Sequence, residues 1–149
     1  SVIDSNSAKL FLESGAKGID VAGAGGTSWS KVEIERNKIS ESSFWGEWGL
    51  RTSYCLRTTA TLKNEYQFIL MASGGISSSI DFAKSIALGA DLSGSARFIL
   101  KNIIENGIDV TKNMLLLWME DLKKVMFLTG SKNLKELKNG KIKKVEDLI

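Results

Sequence analysis

The chain has 149 residues, 43% of them apolar, and a net charge of +3. That is ample apolar material for a packed core and too mild a charge bias for a disordered or nucleic-acid-binding chain. It contains no histidine, no proline and one cysteine, Cys55, which excludes Ser–His and Cys–His catalytic pairs, histidine metal sites and an intramolecular disulfide.

The first segment, Ser5 to Glu13, reads as a helix capped from residues 4–7, with Ala8, Phe11 and Leu12 as its buried face and Gly15 as its stop. Residues 18–22 form a short buried strand that ends in Gly23-Ala24-Gly25-Gly26-Thr27. A helix is predicted over residues 28–37, with Trp29, Val32 and Arg36 on one side. Residues 38–43 read as a flexible loop. The aromatic cluster at 44–49 reads as packing beneath a loop. Residues 52–62 form the next helix, carrying Tyr54, Cys55 and Leu56.

The most informative stretch follows. Residues 67–72 are an apolar strand, Ser73-Gly74-Gly75-Ile76 a glycine turn, 77–89 a helix and 91–96 a second strand. This is the length and order of a βαβ unit. Ser78 caps the helix, with Asp81 at capping-box spacing. Ile80, Ala83, Ile86 and Ala87 face the sheet, and Gly89 suits a left-handed stop. The turn joins a strand's carboxyl end to a helix N-terminus, where unpaired N–H groups and the helix dipole favour an anion, usually phosphate. Gly74 and Gly75 lack Cβ and allow close approach of a ligand. The bland alternative is a tight turn and nothing more.

Residues 98–106 are helical, with Ile99, Ile103 and Ile104 apolar, and Gly107 ends the helix. The longest helix spans 110–128, with Met114, Leu117, Trp118, Met119, Leu122, Val125 and Met126 as a core-facing stripe. Residues 134–137 form a short turn. The lysine-rich tail, 132–144, is interrupted by Glu136 and reads as a solvated helix end, with 139–149 flexible. No apolar run reaches membrane-spanning length, so neither a membrane nor a nucleic-acid partner is expected. A lone cysteine fits a reducing, cytoplasmic setting. Ser1 in place of an initiator methionine leads us to expect a processed terminus or a piece of a longer protein.

Strands alternate with helices, so the fold class is α/β with a parallel sheet whose two faces are covered. A closed eightfold barrel needs about 250 residues, and only three strands are found. The phosphate-binding loops would be residues 73–77 and 94–97, with Arg97 as a cation.

Residues 20–29, Asp-Val-Ala-Gly-Ala-Gly-Gly-Thr-Ser-Trp, resemble the glycine-rich segment of the type 2, flavin-dependent isopentenyl-diphosphate isomerases. So do residues 48–52, 72–76 with Asp81, 83–84, 87–92 and 128–134, and the likeness covers nearly the whole chain. The resemblance implies the last part of a (β/α)8 TIM barrel, strands six to eight with their helices, as a single domain over 1–149. It implies FMN as cofactor, with NADPH as its reductant and Mg2+. The substrate would be a small-molecule diphosphate, the activity isomerisation of isopentenyl to dimethylallyl diphosphate, and the complete enzyme a homo-oligomer. Implied cofactor contacts are Ala22, Thr27, Gly74, Gly75, Ile76, Ser77, Ala96 and Arg97. The sequence departs from the family at Ala22, where serine is usual, at Ser77, where arginine is usual, and at Ser79, Ser95 and Arg51. The strand-five lysine, the metal-binding glutamate and the diphosphate-binding residues would lie before Ser1. The catalytic residues are therefore unassigned, and the missing barrel half is an expected partner. Three readings stand: part of an isomerase, a non-catalytic half-barrel, or another FMN barrel that keeps only the phosphate site.

Overall fold

The computed structural model describes residues 3–25, 27–37, 46, 48–139 and 142. The expected loop at 38–43, half of the aromatic cluster at 44–49 and nearly all of the tail at 139–149 fall outside them. Helix α1 (Ser5–Glu13) precedes strand β1 (Gly18–Asp20), and α2 (Trp29–Asn37) and α3 (Thr52–Ala60) follow. A 3-10 turn (Thr61–Asn64) leads to β2 (Ile69–Ala72), α4 (Ser79–Ala87), β3 (Leu92–Ser93), α5 (Arg97–Asn106), α6 (Ile108–Leu128) and α7 (Leu134–Lys138).

The strands form one parallel sheet in the order β1-β2-β3. Gly18 pairs with Ile69 and Asp20 with Met71, while Met71 pairs with Leu92 and Ala72 with Ser93. The predicted neighbours are thus neighbours, and parallel. Each strand is shorter than its apolar run, because ladder pairing stops where the chain bends into the loops.

Local signals placed the helix ends. The Asp4 carboxylate accepts the Ser7 N–H at 2.8 Å and starts α1, and Gly15, at φ +96°, lies just past its end. Ser28 Oγ accepts the Lys31 N–H at the start of α2. Ser78 Oγ accepts the Asp81 N–H at 3.1 Å, the first half of the expected capping box. Gly107, at φ +83°, separates α5 from α6.

Strand side chains alternate between the faces. Ile19, Val21, Leu70 and Ala72 are buried beneath the helices, against Cys55 and Leu56 of α3 and Ala83 and Ile86 of α4. Leu56 and Leu70 are fully buried, each contributing roughly 1.5–3 kcal/mol. The other face, with Ile69 at 50% and Leu92 at 55% exposure, is open. That corrects the expectation that both faces are covered.

Four further expectations change. Phe11 points outward, so Ala8 and Leu12 bury α1. In α4, Ile80 is 48% exposed, and Ser79 and Ser85 are buried beside Ala83 and Ile86. The α6 stripe is only partly core: Leu122 is buried and Val125 and Met126 pack against the core, while Leu117 and Met119 are exposed. The lysine-rich segment is not wholly solvated, because Lys138 is drawn inward.

Lys138 is held by Asp91, at the amino-terminal end of the sheet. Asp91 Oδ1 accepts from Lys138 Nζ. Its Oδ2 accepts from Lys63 Nζ and, at 2.8 Å, from the Leu70 N–H. Burial pushes this carboxyl up, but hydrogen bonds from Lys138 and Lys63 outweigh it and bring the pKa down to about 2. One carboxylate thereby joins α7, the 3-10 turn and the start of β3.

Candidate functional site

At the opposite, carboxyl-terminal end of the sheet, three turns surround a cleft of about 570 Å³. Its lining includes all eight residues expected at the site: Ala22, Thr27, Gly74, Gly75, Ile76, Ser77, Ala96 and Arg97. Each turn follows a strand of the same parallel sheet, so the sheet itself brings together positions 22 and 97.

The glycines also have a packing role. Gly74 and Gly75 have φ of +86° and +83°, values L side chains rarely adopt. A Cβ on Gly74 would lie 2.7 Å from the Gly23 oxygen, and one on Gly75 2.8 Å from the Gly25 carbonyl. A Cβ on Gly23 would lie 2.4 Å from the Thr52 nitrogen. The missing side chains therefore make room for the other turn: the two glycine turns are packed backbone on backbone. Gly94, by contrast, faces open space.

Hydroxyl groups fix the second turn. Thr52 Oγ1 donates to the Gly74 carbonyl at 2.7 Å, and Ser95 Oγ to the Ile76 carbonyl at 2.5 Å. The Ser77 N–H donates to Asp81 Oδ2 at 3.2 Å. Ser77 lines the cleft, but its N–H is turned back onto α4, whose N-terminus is also satisfied by Ser78. The N–H groups of Gly74, Gly75 and Ile76 donate to no acceptor among the described residues. The start of α5 also lacks a side-chain cap. Arg97 stands at its first position, and Lys101 lies one turn on, paired to Glu105 at 3.7 Å. Open backbone donors, an uncapped helix N-terminus and two cations form a donor set that suits a phosphate group.

Several cleft residues escaped the sequence reading. Lys101 was within reach, since it is four residues beyond Arg97 on one helix face. Trp29, at 62% exposure, was assigned to a helix side and instead borders the cleft, as does Phe98. Thr52 lies outside the cleft lining and within the 48–52 segment of the resemblance, but its contact with the second turn could not be read there, because its partner lies 22 residues away. No activated nucleophile emerges among the described residues. Burial pushes the Cys55 thiol up, with the Asp4 carboxylate adding to it, and the side chain is enclosed. Among the described residues no three acidic or cysteine side chains are grouped to hold a metal, and no helix is long and apolar enough to cross a membrane.

A parallel α/β sheet with glycine turns and cations at its carboxyl edge is the ligand-binding architecture of the FMN-binding TIM barrels. The chain belongs to the FMN-dependent dehydrogenase family, whose model matches residues 1–144. It is 43% identical to the isopentenyl-diphosphate delta-isomerase of Chlorobium phaeobacteroides over 95% of this chain and 42% of that protein. It is also 43% identical to the protein of that name from Oceanobacillus iheyensis, over 92% of this chain and 40% of that one. The chain thus spans about 40% of the length of the curated relatives it matches. Among solved structures, a (putative) lactate oxidase of Pediococcus acidilactici superimposes with a TM-score of 0.66 at 22% identity, covering 95% of this chain and 35% of that one. GMP reductase from Trypanosoma brucei gives 0.67 at 18%, covering 94% and 30%. These two share the fold alone.

Proposed function

We propose that this chain supplies the FMN-phosphate side of a flavin-dependent isopentenyl-diphosphate isomerase, which converts isopentenyl to dimethylallyl diphosphate in isoprenoid biosynthesis. The observation that carries this is the convergence of all eight implied contacts on one cleft, in a chain about 40% identical to proteins of that name. The N–H groups of Gly75 and Ile76, the start of α5 at Ala96, and Arg97 would hold the phosphate. Ala22 and Thr27 would border the ring. When bound and reduced, the flavin supplies the electron-rich group that assists proton addition and removal on the substrate. The chain's own part is to bind and orient it. Gly75 and Ile76 present N–H groups, and Arg97 and Lys101 offset the negative charge.

In this reading β1, β2 and β3 are the sixth to eighth strands of a (β/α)8 barrel. The open sheet face, with Ile69 and Leu92 exposed, supports that, because in a closed barrel this face is the packed interior. The other strands, the proton-transfer groups, the Mg2+ ligands and the diphosphate-binding residues would come from the remaining half, in the same chain or a partner. NADPH as reductant, a homo-oligomer and a cytoplasmic setting belong to the same reading, and the enclosed thiol of Cys55 is consistent with the last. The exposed apolar surface of α6 also favours a second reading, a half that binds flavin weakly and catalyses nothing until it is covered.

The test is to join the chain to the missing strands of a relative and measure FMN binding and conversion of isopentenyl diphosphate. Binding with turnover supports the proposal. Binding without turnover, in a folded and reduced protein, would transfer the chain to another FMN enzyme.

A further inference from the structure

The three peptide planes of the turn after β2 are not equivalent. The Ile76–Ser77 plane is held at both ends: its carbonyl accepts from Ser95 Oγ and its N–H donates to Asp81. The Gly74–Gly75 plane is held at one end only, where Thr52 Oγ1 donates to the Gly74 carbonyl at 2.7 Å. In a trans peptide the C=O and N–H point in opposite directions. Anchoring the Gly74 carbonyl on Thr52 therefore drives the Gly75 N–H away from α3, and it meets no acceptor among the described residues.

A glycine pair gives the plane little torsional restraint of its own, since both residues populate positive and negative φ. Without an anchor, the Gly74–Gly75 peptide can flip and withdraw its N–H. Thr52 is suited to prevent this. It is the first residue of α3, its backbone nitrogen lies where a Cβ on Gly23 would fall, and its side chain reaches across to the second turn. One residue thus contacts both glycine turns.

We infer that Thr52 is a positioning residue of the anion site: its hydroxyl fixes the Gly74–Gly75 peptide so that the Gly75 N–H is presented to a phosphate monoester in the cleft. This rests on the proposal that the cleft takes the phosphate of FMN, and it adds a residue that touches no ligand.

The experiment compares FMN with riboflavin, which has the same ring and no phosphate, on the full chain and its Thr52→Val and Thr52→Ser variants. The parent chain should bind FMN more tightly than riboflavin. Thr52→Val, which keeps the shape and removes the donor, should weaken FMN binding about tenfold, with riboflavin affinity unchanged. Thr52→Ser should restore the preference. Thermal unfolding of each variant monitors the fold. If Thr52→Val unfolds, Thr52→Ser against Thr52→Ala supplies the same contrast. A Thr52→Val protein that keeps the full preference for FMN overturns the role of Thr52 and leaves the phosphate site standing. A parent chain with no preference for FMN overturns the phosphate site and this role with it.

Discussion

The two ends of the sheet are built on opposite principles. At the amino-terminal end Asp91 is closed off within the chain: it takes up two lysines and a backbone N–H, and α7 is fastened by the same carboxylate. At the carboxyl-terminal end the turns are packed tightly, yet backbone donors at Gly75 and Ile76 are left open to a cleft. Ile76 is buried, and an unmatched donor there costs stability until an acceptor reaches it, whereas the N–H of exposed Gly75 is open to water. Enclosing Asp91 also costs solvation, but its partners are all internal. One end holds the fold together, and in the proposed function the other receives a ligand.

The largest expected effect breaks the packing of the turns. Gly23→Ala would place a methyl 2.4 Å from the Thr52 nitrogen, and backbone cannot yield cheaply. A loss of about 3 kcal/mol or more is expected, read by thermal or urea unfolding. A loss below about 0.5 kcal/mol would show that the turns are not interlocked.

The closed end should fail with acid instead. Asp91 titrates at about 2 in the folded chain against an ordinary value of 3.8, so the folded state binds its proton less readily than the unfolded one. Its contribution, about 2 kcal/mol, is complete above roughly pH 4 and is lost as the pH falls toward 2. Asp91→Asn should remove about that much at neutral pH and flatten the acid limb of the stability profile. A variant whose acid limb matches the parent's would remove Asp91 from the account.

Arg97→Ala addresses the open end. We expect FMN affinity to fall by about 1.5–3 kcal/mol with thermal stability nearly unchanged, measured by fluorescence titration of the flavin. The opposite pattern, stability lost and affinity kept, would make Arg97 a structural residue of α5. The smallest effect concerns Ser77, whose N–H already serves Asp81. Ser77→Arg should tighten FMN binding by less than about 1 kcal/mol, through long-range attraction at an exposed position. The open sheet face and the exposed residues of α6 should also make the isolated chain self-associate, visible as concentration-dependent elution in size exclusion.

Much of this was legible in the sequence. Helix ends marked by Asp4, Ser78, Gly15, Gly89 and Gly107 are local signals, and the βαβ order required a parallel pair. The loops at 73–77 and 94–97 were reachable because each lies just beyond a strand, where parallel sheets place their ligands, whereas Ala22 and Thr27 were reached only through the family resemblance. What was not legible is long-range. Ile80, Phe11 and Leu117 are apolar at helical spacing, but periodicity does not say whether a partner surface is present to cover them. The backbone contacts of Gly23 with Thr52 and of Gly25 with Gly75 leave no trace in a pattern, since glycine serves a turn, a ligand and a close neighbour alike. Lys138 likewise looked like one more tail lysine until the fold brought it to Asp91.

The division between the two ends is tested most directly by titrating FMN, up to millimolar concentration, into the 15N-labelled chain and following backbone amide shifts. The account predicts saturable shifts at Gly75, Ile76 and Ala96 that riboflavin does not reproduce, with the amides of Leu70 and Asp91 unmoved. Shifts centred on Asp91, or none at the turn after β2, would contradict it.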